Sequence, residues 1–260
     1  GLITRHMETG LGGKVVLVTG GAGGIGQAIC RKFAEEGANV AVHFHTSSEE
    51  AESLAMEIGG VAVHADLRVP SQADEMVAEV ISKLGRVDVC VANSGLYPPD
   101  PLPMWEIDEE RWNSTIMSNL GVTANTSRAF LSHASTRGTG ALVLVGSTAG
   151  VYGEAGHSDY AAAKGAITTG LLLSLKNEVS HLGSVRVNAV APGWTLTQKK
   201  VETGLDKGVM ERAKSTMALK KLATPNDVAM AIVSLSSDEV SGHITGQVIE
   251  VAGGMEGRLV

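Results

Sequence analysis

Short apolar runs alternate along the chain with longer segments in which apolar residues recur at helical spacing. The first run, residues 14–19, is almost continuously aliphatic and is followed by glycines, as expected for a strand that is buried on both faces. Ile25, Ile29 and Phe33 then recur at intervals of four residues, and Gly37 is placed to end that helix. The chain therefore begins with a strand, a glycine-rich turn and a helix.

The same alternation continues to the C-terminal end of the chain. It predicts further strands over residues 39–44, 61–65, 87–91, 141–145, 185–190 and 247–251, with long helices over 109–135, 158–181 and 226–236. Strands that are joined by helical crossovers form a parallel sheet with helices on both faces. We therefore expect a single three-layer α/β domain with a doubly wound, seven-stranded parallel sheet.

The expected domain spans residues 10–260, because no linker, repeat or low-complexity tract interrupts the pattern. Residues 1–9 lack the apolar stretch of a secretory signal, and we expect them to be a tag remnant or a disordered start. Two stretches look irregular: residues 97–105 contain four prolines, and residues 194–221 are rich in Lys and Met. We expect both to be loops at the carboxyl edge of the sheet, the second of them a lid.

Composition excludes several classes of protein. The net charge of −7 argues against binding to nucleic acid, which needs a basic surface. No apolar run reaches the roughly 18 residues of a membrane span. Cys30 and Cys90 stand in apolar segments, so we expect reduced core thiols in a cytoplasmic protein. No histidines and carboxylates are spaced as metal ligands, so no metal site is predicted.

A glycine-rich turn follows the first strand and is the first candidate binding site. Gly21, Gly23 and Gly26 satisfy G-x-G-x-x-G between a predicted strand and a predicted helix. Such a turn lets the backbone approach a pyrophosphate, and the helix N-terminus supplies free N–H groups. No Lys-Ser or Lys-Thr follows, which excludes a kinase-type phosphate loop. The candidate nucleotide-binding residues here are Gly20, Ala22, Gly23, Gly24, Ile25 and Gly26.

The end of the second predicted strand bears on the choice of nucleotide. An acidic residue there would bind the ribose 2′-hydroxyl of NAD, but this strand continues into His45, Thr46 and Ser47, with no acid before Glu49. Hydroxyl and imidazole groups can hydrogen-bond to a 2′-phosphate instead. The sequence therefore favours NADP(H), with NAD(H) as the alternative. In a second interpretation, Ser47 only caps the next helix and His45 is solvated.

Tyr160 and Lys164 are the candidate catalytic pair. They stand four residues apart and therefore on one face of a predicted helix. A nearby cation favours the phenolate and brings the phenol closer to working pH, as a general acid or base on an alcohol or ketone requires. Ser147 ends a strand 13 residues earlier. Ser147 is not the nucleophile of a G-x-S-x-G hydrolase, because that motif needs glycines where Val145 and Ala149 stand.

Together these motifs resemble the short-chain dehydrogenase/reductase superfamily over about residues 14–255, and 3-oxoacyl-[acyl-carrier-protein] reductases among its subfamilies. The matching motifs are Thr19–Gly26, Ala65-Asp66-Leu67, Ala92-Asn93-Ser94-Gly95, Ser118-Asn119-Leu120, Ser147, Tyr160/Lys164, Pro192–Thr197 and Ile244–Met255. The resemblance implies a Rossmann-type fold. The chain departs from the family pattern in two places. In the motif that reads N-N-A-G in the family, Ala92 replaces the first asparagine and Ser94 replaces the alanine, which puts the bracing of that turn in doubt. Ala252 stands where the family often has aspartate.

The resemblance also implies roles for the catalytic side chains. Tyr160 would protonate the carbonyl oxygen, and Ser147 would hold and polarise the carbonyl. Lys164 would lower the pKa of Tyr160 and bind the nicotinamide ribose, and Asn119 would position Lys164 through a water. The further cofactor-binding residues that it implies are Asp66, Leu67, Asn93, Ser94, Gly95, Tyr160, Lys164, Pro192, Gly193, Thr195 and Thr197.

The function that we expect is an NADP(H)-dependent oxidoreductase that interconverts a ketone and a secondary alcohol, with a 3-oxoacyl thioester as substrate. The alternatives are a dehydrogenase or reductase of a small free ketone, sugar or polyol, and a catalytically silent nucleotide-binding protein. We expect a homotetramer paired through the two long helices, with no nucleic-acid or membrane partner. An acyl carrier protein or a CoA thioester is the partner that this substrate implies. The basic residues Lys199, Lys200, Lys207, Arg212, Lys214, Lys220 and Lys221 are typical of a solvated lid face, and in the alternative interpretation an acidic acyl carrier docks on them or on Arg128 and Arg137.

Overall fold

The computed structural model describes residues 6–256 and contains one parallel sheet of seven strands in the order β3-β2-β1-β4-β5-β6-β7. The strands are β1 Val15–Val18, β2 Asn39–Phe44, β3 Val61–His64, β4 Val89–Ala92, β5 Thr139–Val145, β6 Ser184–Pro192 and β7 Val248–Val251. The predicted α/β class, the parallel sheet and its seven strands are confirmed. The strand order reverses between β1 and β4, and ligands bind at such a switch point in open α/β sheets.

Helices cover both faces of the sheet. They are α1 Gly24–Glu35, α2 Ser48–Ile58, α3 Pro70–Leu84, α4 Glu109–Ile116, α5 Val122–Arg137, α6 Thr148–Tyr152, α7 Ser158–Ala166, α8 Leu172–Glu178, α9 Gln198–Thr203, α10 Lys207–Ser215, α11 Pro225–Ser236 and α12 Asp238–Ser241. Each of the two long predicted helices contains one π-helical turn. These turns, Met117–Gly121 and Ile167–Leu171, join α4 to α5 and α7 to α8.

The core consists of two apolar layers, one on each side of the sheet. Side chains of β1 alternate between them: Val15 and Leu17 face the layer under α3, α5 and α8, whereas Val16 and Val18 face the layer under α1, α2 and α11. A strand that is buried on both faces explains the continuous apolar run in the sequence. Both cysteines are free and buried in these layers, as expected for core thiols.

The region 194–221 contains two short helices, α9 and α10, where the sequence predicts an irregular loop. Their caps are local: Thr197 accepts a hydrogen bond from the backbone of α9, and Asp206 accepts from the backbone of α10. Helices of six and nine residues with few apolar positions show little periodicity, so the pattern does not reveal them. The backbones of Trp194 and Leu196 pair with Ala223 and anchor the base of this region.

All strands run in one direction, so their carboxyl ends lie at one edge of the sheet. The glycine turn after β1, the Asn93 turn after β4, Ser147 after β5 and Gly193 after β6 lie together at this edge. Within residues 6–256, no helix has both the length and the apolar character needed to cross a membrane.

Candidate active site and cofactor cleft

The glycine turn is built so that the chain passes very close to itself. Gly20 has a φ of +59°, and a Cβ at Gly26 would overlap the carbonyl oxygen of Gly20. Gly23 caps α1 without a side-chain hydrogen bond, and the first turn of α1 contains no acidic residue. The backbone N–H groups at this helix start are therefore free to bind a phosphate, as the sequence predicts.

His43 supports this turn, and sequence reasoning missed it. Its Nδ1 lies 3.0 Å from the backbone nitrogen of Gly20, and its Nε2 lies 2.9 Å from the carbonyl oxygen of Ala65. A carbonyl oxygen only accepts, so Nε2 donates and Nδ1 accepts from Gly20. Burial lowers the pKa of His43 to about 4, which keeps this neutral tautomer in place. The one feature in the sequence that could have indicated this role is that His43 is a histidine among the apolar residues of β2.

A cleft of about 610 Å³ runs from the glycine turn to the ends of β2 and β3. His45, Thr46 and Ser47 line it, and Ser47 makes no side-chain cap to α2, which leaves its hydroxyl available to a ligand. Arg68, which the sequence analysis missed, also lines the cleft and holds Asp66 through two hydrogen bonds of 2.9 and 2.8 Å. These bonds lower the pKa of Asp66 to about 2.

A second cavity of about 410 Å³ adjoins the cleft and shares Ile25, Asn93, Gly95, Leu96 and Thr197 with it. The predicted residues that line the cleft are Gly20, Ala22, Gly23, Gly24, Ile25, Gly26, His45, Thr46, Ser47, Asp66, Leu67, Asn93, Ser94, Gly95 and Thr197. Those that line the cavity are Ile25, Asn93, Gly95, Ser147, Tyr160, Lys164, Pro192, Gly193, Thr195 and Thr197. The two adjoining spaces form one elongated region whose lining residues could hold a dinucleotide, and phosphate binding at the glycine turn stays a prediction.

Thr19 braces the turn after β4, where the sequence departs from the family pattern. Its Oγ1 accepts hydrogen bonds from the backbone nitrogens of Asn93 and Ser94, at 2.9 and 3.1 Å. The Asn93 amide donates to the carbonyl oxygen of Gly20 at 3.3 Å. These three bonds connect the turn after β1 to the turn after β4, although Ala92 stands where the family has asparagine. The Ser94 hydroxyl is buried and makes no hydrogen bond within the described residues.

Ser147, Tyr160 and Lys164 converge at the floor of the cavity. The Ser147 Oγ accepts from the backbone nitrogen of Ala149 at 3.1 Å, which leaves its hydroxyl hydrogen free to donate. Burial is the largest influence on Tyr160 and raises the pKa of its phenol, whereas a hydrogen bond with Ser147 lowers that pKa. The net shift is upward, opposite to the shift that the sequence predicts from the nearby Lys164. The Lys164 Nζ lies 5.7 Å from the centre of the Tyr160 ring and donates to the carbonyl oxygen of Val145 at 3.1 Å.

Asn119 lies behind this group, in the π-helical turn between α4 and α5. Its amide donates to the carbonyl oxygens of Leu96 and Thr115, at 2.9 Å each, and its Oδ1 accepts from the Leu96 nitrogen at 3.2 Å. A Cβ at Gly95 would lie 2.7 Å from Asn119 Oδ1 and 3.2 Å from Lys164 Nζ. Asn119 thus fixes the loop that separates it from Lys164, and its action on Lys164 through a water stays a prediction.

A buried ion pair next to Tyr160 also escaped sequence reasoning. The Arg111 Nε lies 3.0 Å from an oxygen of Asp159, whose side chain is fully buried. Arg111 also donates to the carbonyl oxygen of Asp100 at 2.6 Å, and Asp159 accepts from the Tyr160 nitrogen at 2.9 Å. The pair therefore fastens the proline-rich loop to the helix that carries Tyr160.

The candidate docking residues do not form one patch. Lys200 lines the cavity and donates to the carbonyl oxygen of Thr195 at 3.0 Å. Arg137 lies at the opposite edge of the sheet, where it pairs with Asp88 at 3.0 Å. Arg128 donates to Asn125 at 3.2 Å. Lys199, Lys207, Arg212, Lys214, Lys220 and Lys221 belong to the region 194–221. Within the described residues, no three His, Cys, Asp or Glu side chains form a group that could hold a metal ion.

Comparison with known proteins agrees with this geometry. The family model "short chain dehydrogenase" matches residues 14–208. A Thermotoga maritima protein named 3-oxoacyl-[acyl-carrier-protein] reductase is 36% identical over 254 residues, covering 94% of this chain and 98% of its own length. Proteins of the same name from Chlamydia muridarum and Staphylococcus epidermidis are 36% and 34% identical, over 259 and 247 residues. These alignments cover 96% and 93% of this chain, and 100% and 98% of the two relatives.

The family model covers more than half of the chain, and the relatives align over almost their whole length. The fold, the glycine turn and the Ser147, Tyr160 and Lys164 group agree with the same assignment. The chain therefore belongs to the short-chain dehydrogenase/reductase family of NAD(P)-dependent oxidoreductases.

Proposed function

We propose that this protein is an NADP(H)-dependent oxidoreductase that interconverts a ketone and a secondary alcohol, with a 3-oxoacyl thioester as its first candidate substrate. One observation carries the proposal: Ser147, Tyr160 and Lys164 line a single cavity that adjoins the cleft at the glycine turn. A catalytically silent nucleotide-binding protein would not need these three side chains on a cavity of substrate size.

Each side chain has a distinct task in carbonyl reduction. When bound, the nicotinamide supplies the hydride in reduction and takes it up in oxidation. Tyr160 donates a proton to the carbonyl oxygen, and burial favours this by keeping the phenol protonated. Ser147 donates a hydrogen bond to the same oxygen, where negative charge develops. The Lys164 cation stabilises the phenolate that Tyr160 becomes after it has lost its proton.

The end of β2 supports NADP(H) over NAD(H). His45, Thr46 and Ser47 line the cleft there, and the nearby carboxylate of Asp66 is already paired with Arg68. A 2′-phosphate would meet hydroxyl, imidazole and guanidinium groups, and Asp66 is the one carboxylate among the described residues that line the cleft. We expect a lower KM for NADPH than for NADH, and equal or lower values for NADH would contradict this choice.

The names of the relatives support a 3-oxoacyl thioester as substrate, and docking of a carrier protein at the lysines of region 194–221 follows as part of the proposal. A small free ketone, sugar or polyol is the second candidate, favoured by the polar side chains of Tyr97, Glu154 and Lys200 on the cavity wall.

A cytoplasmic homotetramer paired through the long helices belongs to the same proposal. Exposed Met117 and Leu173 on those helices support the pairing.

The decisive experiment replaces Tyr160 with Phe and follows NADPH oxidation with acetoacetyl-CoA. We expect kcat to fall by about 10²–10⁴-fold, since the proton donor is lost. NADPH binding, followed by nucleotide fluorescence, should stay near the wild-type value. Normal turnover by the variant would refute the mechanism. Tight NADPH binding by a wild-type protein that reduces no ketone would favour the silent nucleotide-binding alternative.

A further inference from the structure

Glu154 places a carboxylate on the wall of the catalytic cavity, where the proposed ketone reduction does not use it. It lies between α6 and α7, on the loop that leads to Tyr160, and it lines the cavity together with Ser147 and Tyr160. Its charge also raises the pKa of the Tyr160 phenol. The carboxylate therefore lies on the same cavity as the Ser147 and Tyr160 hydroxyls, where a ketone substrate would bind.

Neighbouring aromatic residues hold the Glu154 carboxylate in place. The Tyr97 hydroxyl donates to Oε2 at 2.8 Å, and the Nδ1 of His157 lies 3.5 Å from the same oxygen. The Tyr97 ring stacks on His157 with centres 4.2 Å apart and meets the Tyr160 ring edge-on at 4.9 Å. His157 is buried, and its Nε2 is held 2.9 Å from the carbonyl oxygen of Pro98. The hydrogen bond from Tyr97 is thus the one that fixes the carboxylate, and the His157 ring supports Tyr97 by stacking.

The carboxylate keeps capacity for a further hydrogen bond. The contacts of Glu154 within residues 6–256 go to Oε2, and Oε1 accepts none there. No Lys or Arg nitrogen of the described chain lies within 4.0 Å of either oxygen. The side chain of Glu154 is 31% exposed, so the carboxylate is accessible to a molecule that enters the cavity.

The nature of the entering group decides whether binding is favourable. A hydroxyl donates to Oε1 and compensates for its lost hydration, whereas a methyl group leaves a desolvated carboxylate oxygen without a donor. A site built to bind a hydroxyl therefore discriminates strongly against the analogue that lacks it. We infer that Glu154, held by Tyr97, binds a hydroxyl group next to the reacting carbonyl, so that the substrates are hydroxyketones and the products are diols. This inference rests on the proposed ketone reduction and favours its second candidate class, small hydroxylated ketones, over a 3-oxoacyl thioester.

The test uses two ketones of equal size, hydroxyacetone and 2-butanone, in which a hydroxyl takes the place of a methyl group. With NADPH, wild-type protein should show a kcat/KM at least about tenfold higher for hydroxyacetone, from one hydrogen bond to a charged acceptor. In Glu154→Leu this ratio should fall to near one, mainly through a higher KM for hydroxyacetone. Glu154→Gln keeps an acceptor oxygen and should retain part of the preference.

Glu250 supplies a matched control. It accepts a hydrogen bond from Tyr152 at 2.8 Å, as Glu154 does from Tyr97, but it is not among the residues that line the cavity. Glu250→Leu should leave the ratio unchanged. Thermal melting and NADPH binding of each variant report whether it is folded.

The possible results separate the two proposals. Equal kcat/KM values in the wild type, or a preference that Glu154→Leu retains, would overturn the hydroxyl site and leave ketone reduction standing. Reduction of acetoacetyl-CoA without turnover of either small ketone would do the same. A wild-type protein that binds NADPH but reduces none of the three ketones would overturn the proposed function, and the hydroxyl site with it.

Discussion

The two edges of the sheet bury charged groups in opposite ways. At the amino edge, Asp88 accepts hydrogen bonds from the Val15 nitrogen, Arg86 and Arg137 at 2.8, 2.7 and 3.0 Å. Burial acts to raise the pKa of Asp88, but these three hydrogen bonds outweigh it and lower the pKa. At the carboxyl edge, Lys164 is buried with a carbonyl oxygen at 3.1 Å, and no carboxylate of the described chain lies within 4.0 Å of its Nζ. Burial lowers the pKa of Lys164 to about 8.

The difference shows how one fold separates stability from chemistry. A fully paired carboxylate such as Asp88 holds together the starts of β1, β4 and β5 and has little left to offer a ligand. An unpaired cation is costly to bury, and in the proposed mechanism its charge is available to the Tyr160 phenolate because no carboxylate of the described chain pairs with it. We expect substitutions at the two edges to separate these effects.

The largest effect is expected for Lys164→Met. Ketone reduction should fall by about 10²–10⁴-fold, because the cation that stabilises the Tyr160 phenolate is lost. The free energy of unfolding without cofactor should rise by about 1–2 kcal/mol, since an uncompensated charge is removed from the interior. Initial rates and urea denaturation measure the two quantities.

Lys83 provides the control for this substitution. It pairs with Glu79 on the surface of α3, at 2.8 Å, far from the cavity. Lys83→Met should change neither the rate nor the stability appreciably. If Lys164→Met lowered the free energy of unfolding as well as the rate, the cation would be a structural element, and the contrast between the edges would fail.

Asp88→Asn should give the reverse result. Removing the carboxylate leaves Arg86 and Arg137 without their shared partner and weakens the bond to the Val15 nitrogen, at a cost of about 3 kcal/mol. The value of kcat per folded molecule should not change, because Asp88 lies at the edge opposite to the cavity. Urea denaturation and active-site titration with NADPH test this, and a lowered kcat would reveal coupling between the edges.

The sequence predicts the frame of the molecule well because its signals are strong and local. The continuous apolar runs of β1 and β5 are typical of strands buried on both faces, and parallel crossovers then place the glycine turn, Ser147 and Pro192 at one edge. The four-residue spacing of Tyr160 and Lys164 brings both into one cavity. Periodicity misses the short helix α6, which depends on the Ser147 cap.

Contacts between distant segments explain what the sequence does not reveal. His43 is one polar residue in an apolar strand, and its function depends on the Gly20 nitrogen 23 positions away. The Glu154 carboxylate is held by a hydrogen bond from Tyr97, which lies in a loop 57 residues earlier in the sequence. The π-helical turn at Asn119 is set by tertiary hydrogen bonds to Leu96, which hydrophobic spacing does not record.

The two edges should also respond to opposite ends of the pH scale. The reductive kcat/KM should fall by about tenfold per unit above pH 8, because Lys164 loses its proton there and the profile of kcat/KM reports the free enzyme. The pKa of Asp88 is lowered in the folded protein, so its stabilisation is present above its unfolded pKa of 3.8. This stabilisation should disappear as the pH falls through the lower folded value.

Rate profiles with hydroxyacetone and urea denaturation at each pH separate these responses. Asp88→Asn should flatten the acid limb of the stability profile without moving the alkaline limb of the rate profile. An alkaline limb that moved with Asp88→Asn would show that it does not belong to Lys164.

The smallest effect is expected for Asp238→Asn, also near the amino edge. Asp238 bonds Arg186 at 2.9 and 3.0 Å, but its side chain is 66% exposed, whereas that of Asp88 is 10% exposed. Arg186 keeps hydrogen bonds to the carbonyl oxygens of Leu235 and Ile244, at 2.9 and 3.2 Å, after the substitution. We expect a loss below about 1 kcal/mol in urea denaturation. A cost equal to that of Asp88→Asn would mean that the number of arginine contacts, rather than burial of the carboxylate, determines stability at this edge.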